Sequence, residues 1–170
     1  MPFVTPWTRF DPPKLEQEAL RFHWRSRAET QPDSFRIPLT VFRGGELVGA
    51  SQVGAGNFAA LRWFETGSWL GQRFQGQGVG KQVRRATLTC GFDDLGAMLA
   101  ATAAWHSNPA SLGVTRSLDY TQQGRERQLH DDAATDLLRF DMTREHLNTI
   151  RPNGVTFFGL DPTREFLGLS

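Results

Sequence analysis

The sequence predicts a mixed α/β (α+β) domain, and three observations carry that expectation. Phe35, Ile37, Leu39 and Val41 alternate with Arg36, Pro38 and Thr40, the period of a strand, and Gly44-Gly45 turns the chain into a partner strand from Glu46 to Val53. Before that hairpin the apolar spacing is helical, three and four, as in Leu15, Ala19 and Phe22. After it, the aromatic run Leu61 to Leu70 passes through four glycines between Gly71 and Gly80 into the helical set Val79, Val83, Ala86 and Cys90. Strand, glycine loop and helix follow one another in that order.

The remaining elements read in sequence. Met1 to Pro13 carries four prolines and is an irregular lead-in. Lys14 to Arg27 is an amphipathic helix, with Leu20 and Trp24 one row over from its main stripe. Pro38 removes a ladder donor, which places its strand at or near a sheet edge. Gly54 to Ala60 is a loop. In the strand that follows, Trp63, Glu65 and Trp69 share a face unless a bulge shifts the phase. Ala97 to Trp105 is apolar and bounded, and its alanines leave strand and helix both open. Asn108-Pro109 starts a helix running to about Leu118, with Asn108 as N-cap and Pro109 at the first helical position. Tyr120 to Gln128 and Asp136 to Met142 pair as a hairpin, and Arg144 to Ile150 is a short helix. The tail from Arg151 to Ser170 holds Phe157, Phe158, Leu160, Phe166 and Leu167, too apolar for a solvated linker.

Composition narrows the function. At 170 residues and 39% hydrophobic the chain has the size and core of one domain. Lys+Arg 19 against Asp+Glu 18 leaves a net charge of +1, so no bulk field favours nucleic acid or an anionic membrane. The single Cys90 excludes an intrachain disulfide and a multi-thiolate metal site, and suits a reducing compartment, with cytoplasm the default. His23, His106, His130 and His146 are scattered singly, so no metal site is expected. No window approaches the ~20 apolar residues of a membrane span.

The loop Gln75-Gly76-Gln77-Gly78-Val79-Gly80-Lys81 carries the chemistry. A P-loop would need a glycine at Gln75 and a hydroxyl at Gln82, and the dinucleotide fingerprint counted from Gly76 would need a glycine at Lys81. What remains is Gln-x-x-Gly-x-Gly, in which Gly78 and Gly80 let consecutive amides face a pyrophosphate at a helix N-terminus. Lys81, Arg84 and Arg85 are placed to screen further phosphate charge.

That loop resembles the signature of the GNAT (GCN5-related) N-acetyltransferase superfamily, which stands between its fourth strand and third helix. Gly67-Ser68-Trp69-Leu70 and Asn108-x-x-Ser111-x-x-Val114 resemble its RimJ/RimL-type branch. Met1-Pro2-Phe3, Pro6-Trp7-Thr8 and Gly67 to Gly71 are similar to actinobacterial members, including a mycobacterial succinyltransferase. The resemblance implies a mixed, mostly antiparallel sheet that splays between strands 4 and 5 and is flanked by helices. Acyl-CoA, as acetyl-CoA or a larger donor such as succinyl-CoA, would lie in that cleft and need no metal. The cofactor-binding set would be Trp69, Leu70, Gln75, Gly76, Gln77, Gly78, Val79, Gly80, Lys81, Asn108 and Ser111. The expected reaction is acyl transfer to a primary amine of a small molecule or protein entering from the opposite side. The alternative is a GNAT-fold regulatory domain that holds CoA without transfer.

An amine with the reference lysine pKa of ~10.4 is neutral in only about one molecule in 2,500 at pH 7, a handicap of roughly 4.6 kcal/mol, so a base must act. Glu65, on the strand leading into the loop, is the candidate, the other reading being a strand carboxylate paired with Arg62 or solvent. A backbone N–H between Ser68 and Leu70 serves as oxyanion donor by the resemblance. The family's usual thiol-protonating tyrosine position is Thr115, and Tyr120, the only tyrosine, stands where the motif ends in a core aromatic. The resemblance to the RimJ/RimL-type branch implies that Ser111, the serine of N-x-x-S, stands near the CoA sulfur, the other reading being a hydroxyl bonded to the previous helical turn. A succinyl carboxylate would need a local cation, for which Arg62 and Arg73 lie in the right stretch, and acetyl and succinyl stay open. Cys90 reads as a small buried hydrophobe, His106 as a lone histidine and Asp131-Asp132 as a solvated loop.

Family members open with a strand and helix ahead of the segment resembling Met1-Pro2-Phe3. The expectation is a GNAT domain over residues 1-150 lacking them, followed by the apolar tail 151-170. The strand from Phe35 would then have an open edge, which that tail, its own or a partner's, would cover, making a homo-oligomer.

Overall fold

The computed structural model describes residues 10–130, 132–153 and 155–169. In chain order the elements are α1 (Lys14–Ala28), β1 (Phe35–Arg43), β2 (Glu46–Ala55), α2 (Phe58–Leu61), β3 (Trp63–Leu70), α3 (Val79–Thr89), β4 (Leu99–Trp105), α4 (Pro109–Arg116), β5 (Thr121–His130), β6 (Ala133–Thr143), α5 (Arg144–Ile150) and α6 (Leu160–Phe166). The six strands form one mixed sheet in the order β1-β2-β3-β4-β6-β5. Every neighbouring pair is antiparallel except β3 and β4.

The exceptional pair shapes the molecule. Parallel register holds only for Trp63 with Leu99, Phe64 with Ala100 and Glu65 with Ala101, although β3 runs on to Leu70 and β4 to Trp105. Beyond that point the strands part and the sheet opens as a V. The splay expected between the fourth and fifth strands therefore lies between β3 and β4, since the resemblance counts one strand ahead of β1.

Alternating side chains set the two faces. Phe64, Ala100, Phe140 and Met142 form one core with Leu88 of α3, Phe92 and Leu147 of α5. Phe64 meets Phe92 edge to face at 5.3 Å. Close packing there depends on Gly91, where a Cβ would lie 2.2 Å from Phe64 Cζ. On the outer side, α1 packs against β1.

Several expectations change. Ala97 to Trp105 resolves as a strand, with Ala100, Thr102 and Ala104 turned into the core. The loop from Gly54 to Ala60 runs into a helical turn, α2, because Phe58 is fully buried against Phe35, at 5.2 Å between rings. Asp33 fastens that turn, its carbonyl accepting from Phe58 N–H (2.9 Å) and its carboxylate from Ala59 N–H (2.6 Å). In α1 only Ser26 is buried, and the row of Leu20 and Trp24 faces outward. Among the described residues β1 is an edge strand, as Pro38 implied. The tail does not cover that edge. It folds as α6, buries Leu167 in the core with Phe157, Leu160 and Leu169 packed alongside, and joins Asp93 through Arg151. The motifs within Met1 to Thr8, and the expectation attached to them, lie outside the described residues.

Candidate active site

β3 ends at Leu70 and the chain reaches α3 through one 3-10 turn, Gln72–Phe74. Side chains brace this loop. Gln75 Nε2 donates to the Leu70 carbonyl (3.0 Å), and Gln77 Nε2 to the Arg73 carbonyl (2.7 Å), while Gln77 Oε1 accepts from Arg43 (3.2 Å). Gly76 and Gly78 take left-handed φ of 71° and 78°, which side-chain-bearing residues rarely adopt. Gly78 is the N-cap of α3, and the bond from Gln82 N–H to its carbonyl (3.2 Å) opens the helix. The amides of Val79, Gly80 and Lys81 accordingly have no acceptor inside the helix. A Cβ on Gly78 would meet nothing within 4 Å, so the loop faces open space, as an anion-binding helix start requires. At Gly80 a Cβ would be in ordinary contact, 3.4 Å from Val114 Cγ2 and 3.6 Å from Leu70 Cδ1. On the loop's outer flank, Arg43, Glu46, Arg73, Phe74 and Gln77 line an open depression of about 630 Å³.

The V supplies a second feature. Along a strand, the N–H and C=O of one residue point to one edge and those of the next to the other. The Gly67 carbonyl accepts from Ser51 of β2 (3.0 Å) and the Thr66 carbonyl from Thr102 of β4 (3.2 Å). Ser68 and Leu70 therefore turn their backbone groups toward the opening, where β4 has diverged. At its closed end three side chains bridge the strands. Thr66 Oγ1 donates to the Ala101 carbonyl (3.5 Å), Thr102 Oγ1 to the Thr66 carbonyl, and Arg84 Nη1 to Thr102 Oγ1 (3.1 Å).

α4 flanks the opening on the inner side, with Leu112 in the same core as Phe64. Asn108 caps it, Oδ1 accepting from Ser111 N–H at 3.0 Å. Ser111 is half-buried, one turn before the Val114 that touches Gly80. Thr115 and Tyr120 are buried, and neither hydroxyl has a hydrogen-bond partner.

Glu65 lies on the other side of the sheet. It is exposed, at the last register position before the strands part, and the same row continues through Ala101 to Asp141 of β6. Trp63 and Trp69 share its face, as the alternation predicts. Among the described residues none forms an ion pair with Glu65, and Arg62 sits over the Phe58 ring at 5.5 Å. Nearby, Arg139 bonds Glu126 through two nitrogens. That bond holds the Glu126 carboxyl below the usual range and raises Arg139, to which the Glu65 charge also contributes.

The structure thus brings the loop and Ser111 to the inner side of one opening and Glu65 to its outer side. Arg84 is a correction. Instead of screening phosphate it is 4% exposed and turned to the sheet. Its burial beside Thr66 and Thr102 was missed because the helical set read from the sequence, Val79, Val83, Ala86 and Cys90, leaves out the row of Arg84 and Leu88, which is buried as well. Arg73 pairs with Glu46 at the surface and lies outside the V, as does Arg62. Cys90 is fully buried, which pushes its thiol up to about 12 with help from the Asp94 charge. Among the described residues no cluster of metal-ligating side chains occurs, and no helix is long and apolar enough to cross a membrane.

The profile of the acetyltransferase (GNAT) domain family matches residues 1–121. The chain belongs to the GNAT acetyltransferase family. Among solved structures, Mycobacterium smegmatis RimJ in complex with CoA-disulfide is similar with a TM-score of 0.73 and 20% identity, over 86% of this chain and 70% of that one. RimL, a ribosomal L7/L12 alpha-N-protein acetyltransferase in complex with coenzyme A, gives 0.67 and 18% over 84% and 78%. A variant of the Vibrio cholerae spermidine N-acetyltransferase gives 0.66 and 16% over 79% of each. At such identities the likeness speaks for the GNAT fold. In this GNAT chain the amide loop, the open β3 edge and α4 all fall inside the matched span.

Proposed function

We propose that this GNAT domain is an N-acyltransferase that moves an acyl group from acyl-CoA to a primary amine. One observation carries the reading: the edge of β3 left open by the V runs directly into the amide loop of α3. A pyrophosphate on the loop and an extended pantetheine pairing with Ser68 and Leu70 would bring the thioester to the closed end of the V. The residues fit that ligand, because the first-turn amides lack acceptors and Gly78 leaves room for phosphate. Trp69, Leu70, Gln75 to Lys81, Asn108 and Ser111 form the proposed binding set, and the depression beside Arg43 and Arg73 suits the adenosine end.

Glu65, facing the outer side, takes the proton from the incoming ammonium, directly or through water. The amine attacks the thioester carbon, the Ser68 N–H faces the developing oxyanion, the C–S bond breaks with its electron pair on sulfur, and the nitrogen loses its second proton to solvent or to the departing sulfur. Ser111, across the opening, donates to that sulfur. The acyl group is acetyl or a larger one such as succinyl, the acceptor a small molecule or a protein, and the setting cytoplasmic. We assign these roles to residues 1-150, treat 151-170 as a tail, and take the active form to be a homo-oligomer.

The test is to incubate the protein with acetyl-CoA or succinyl-CoA and a panel of primary amines and N-terminal peptides, reading free thiol and product mass together. Amine-dependent thiol release with a matching acylated product supports the reading. Tight CoA binding with no turnover across the panel favours a regulatory CoA-binding domain.

A further inference from the structure

Arg84 is buried without a counter-charge. Its guanidinium donates from Nη1 to Thr102 Oγ1 at 3.1 Å and lies 5.9 Å from the Tyr120 ring centroid, while Nε has no partner. Among the described residues no Asp or Glu pairs with it. A cation at 4% exposure is costly unless something negative is present for part of the working cycle. Tyr120, whose ring faces the guanidinium, has a buried hydroxyl without a partner, and so does Thr115, whose carbonyl accepts from Tyr120 N–H (3.4 Å). A buried cation next to a buried hydroxyl, both with unpartnered polar atoms, is the setting in which a negative charge arriving nearby is stabilised.

The place of the charge is informative. Strand pairing ends at Glu65 with Ala101, and Arg84 reaches the very next residues, holding Thr102, which holds the Thr66 carbonyl. That is the closed end of the V, the point nearest both the inner opening and Glu65 on the outer face.

We propose that Arg84 is a positioning residue for acyl transfer: through Thr102 it fixes the width of the V, and its uncompensated charge favours the CoA thiolate released there. The inference rests on the acyltransferase reading. In the step concerned the ammonium gives one proton to Glu65 or solvent, the amine nitrogen bonds to the acyl carbon, the C–S bond breaks, sulfur leaves as thiolate, and the nitrogen loses its second proton to solvent as the amide forms. The oxyanion of that step is transient and faces the Ser68 N–H, whereas the thiolate is the anion left when the C–S bond has broken, and a buried cation without a carboxylate is free to stabilise it. Among the described residues the other ionisable groups on the elements around the V include Glu65 of β3 and Arg139 and Asp141 of β6, Lys81 and Arg85 on α3, Arg116 on α4 and Tyr120, and β4 contributes none.

The test compares binding of CoA and desulfo-CoA to the full chain between pH 7 and pH 9. For the wild type, CoA affinity relative to desulfo-CoA should rise several-fold with pH over this range, toward a limit of about tenfold for each unit by which the bound thiol pKa falls, reached above the pKa of the free thiol. Arg84→Met should flatten that rise and lower kcat with little change in KM for acyl-CoA, and Arg84→Lys should restore part of both. The wild-type comparison stands even where a variant folds poorly. A pH-independent ratio in the wild type overturns the proposal. So does an Arg84-dependent preference for succinyl-CoA over acetyl-CoA without that pH effect, because the charge then serves an acyl carboxylate. Failure of the wild type to bind any CoA derivative overturns the acyltransferase reading itself.

Discussion

Glu65 and Ser111 make opposite demands on a mutation. Glu65 is exposed and outside any ion pair among the described residues, so Glu65→Gln leaves the sheet intact and removes only a proton acceptor. We expect kcat to fall about a hundredfold, the low end for general base catalysis, with acyl-CoA affinity unchanged and part of the loss regained as pH rises toward the amine pKa. Steady-state kinetics from pH 7 to pH 10 check this, and an unaltered profile would assign the proton to water. Ser111 lends its backbone N–H, not its hydroxyl, to the Asn108 cap. Ser111→Ala should therefore slow transfer at unchanged thermal stability, whereas Asn108→Ala should also lower stability, by about 1 kcal/mol, the usual worth of an N-cap. Cys90 has no part in the chemistry but reports on pH. Its thiol is raised from 9.0 to about 12 in the fold, so the native state keeps a proton that the unfolded chain gives up. That stabilising contribution is complete below pH 9 and is lost as pH climbs toward 12, a slope in denaturant titrations that Cys90→Ala should remove.

At the scale of elements, the loop between β3 and α3 and the turn of α3 into β4 fail differently when altered. Gly78→Val places a side chain in the open space before the free amides and strains a left-handed position by about 1–2 kcal/mol. CoA binding should drop below detection in calorimetry while the fold persists, and retained affinity would dismiss the loop as the pyrophosphate site. Gly91→Ala drives a Cβ against the Phe64 ring, far from the loop, and should cost roughly 1–3 kcal/mol of stability as overpacking. These two glycines also mark how far the sequence could be read. Gly78 is legible because a glycine at fixed spacing before a helical stripe has a local cause. Gly91 is not, because its cause is a phenyl ring on another element. The same division separates Asn108, whose cap is written in Asn-Pro, from Arg84, whose buried bond to Thr102 depends on where the sheet opens. It also separates the β1–β2 hairpin, set by alternation and Gly44-Gly45, from α1, whose exposed row depends on how little of the helix β1 covers.

Among the described residues several large apolar side chains stay exposed. Leu20 and Trp24 of α1 are 50% and 63% exposed, Phe42 and Leu47 at the β1–β2 turn 62% and 54%, and β1 keeps an open edge among the described residues. The tail, expected to cover that edge, is folded against the end of α3 instead, so it does not relieve the exposure. A net charge of +1 opposes self-association little. A second copy packed against these side chains across a two-fold axis would cover the same apolar groups on both chains at once. We expect a dimer of the 19.1 kDa chain in light scattering at micromolar concentration. Trp24→Glu, placing a charge at the centre of the exposed row, should return it to the monomer without lowering CoA affinity, since α1 and the amide loop are separate elements. A monomeric mass for the wild type up to about a hundred micromolar would show that this exposure, open edge included, is tolerated in water, and the homo-oligomer reading would fall with it.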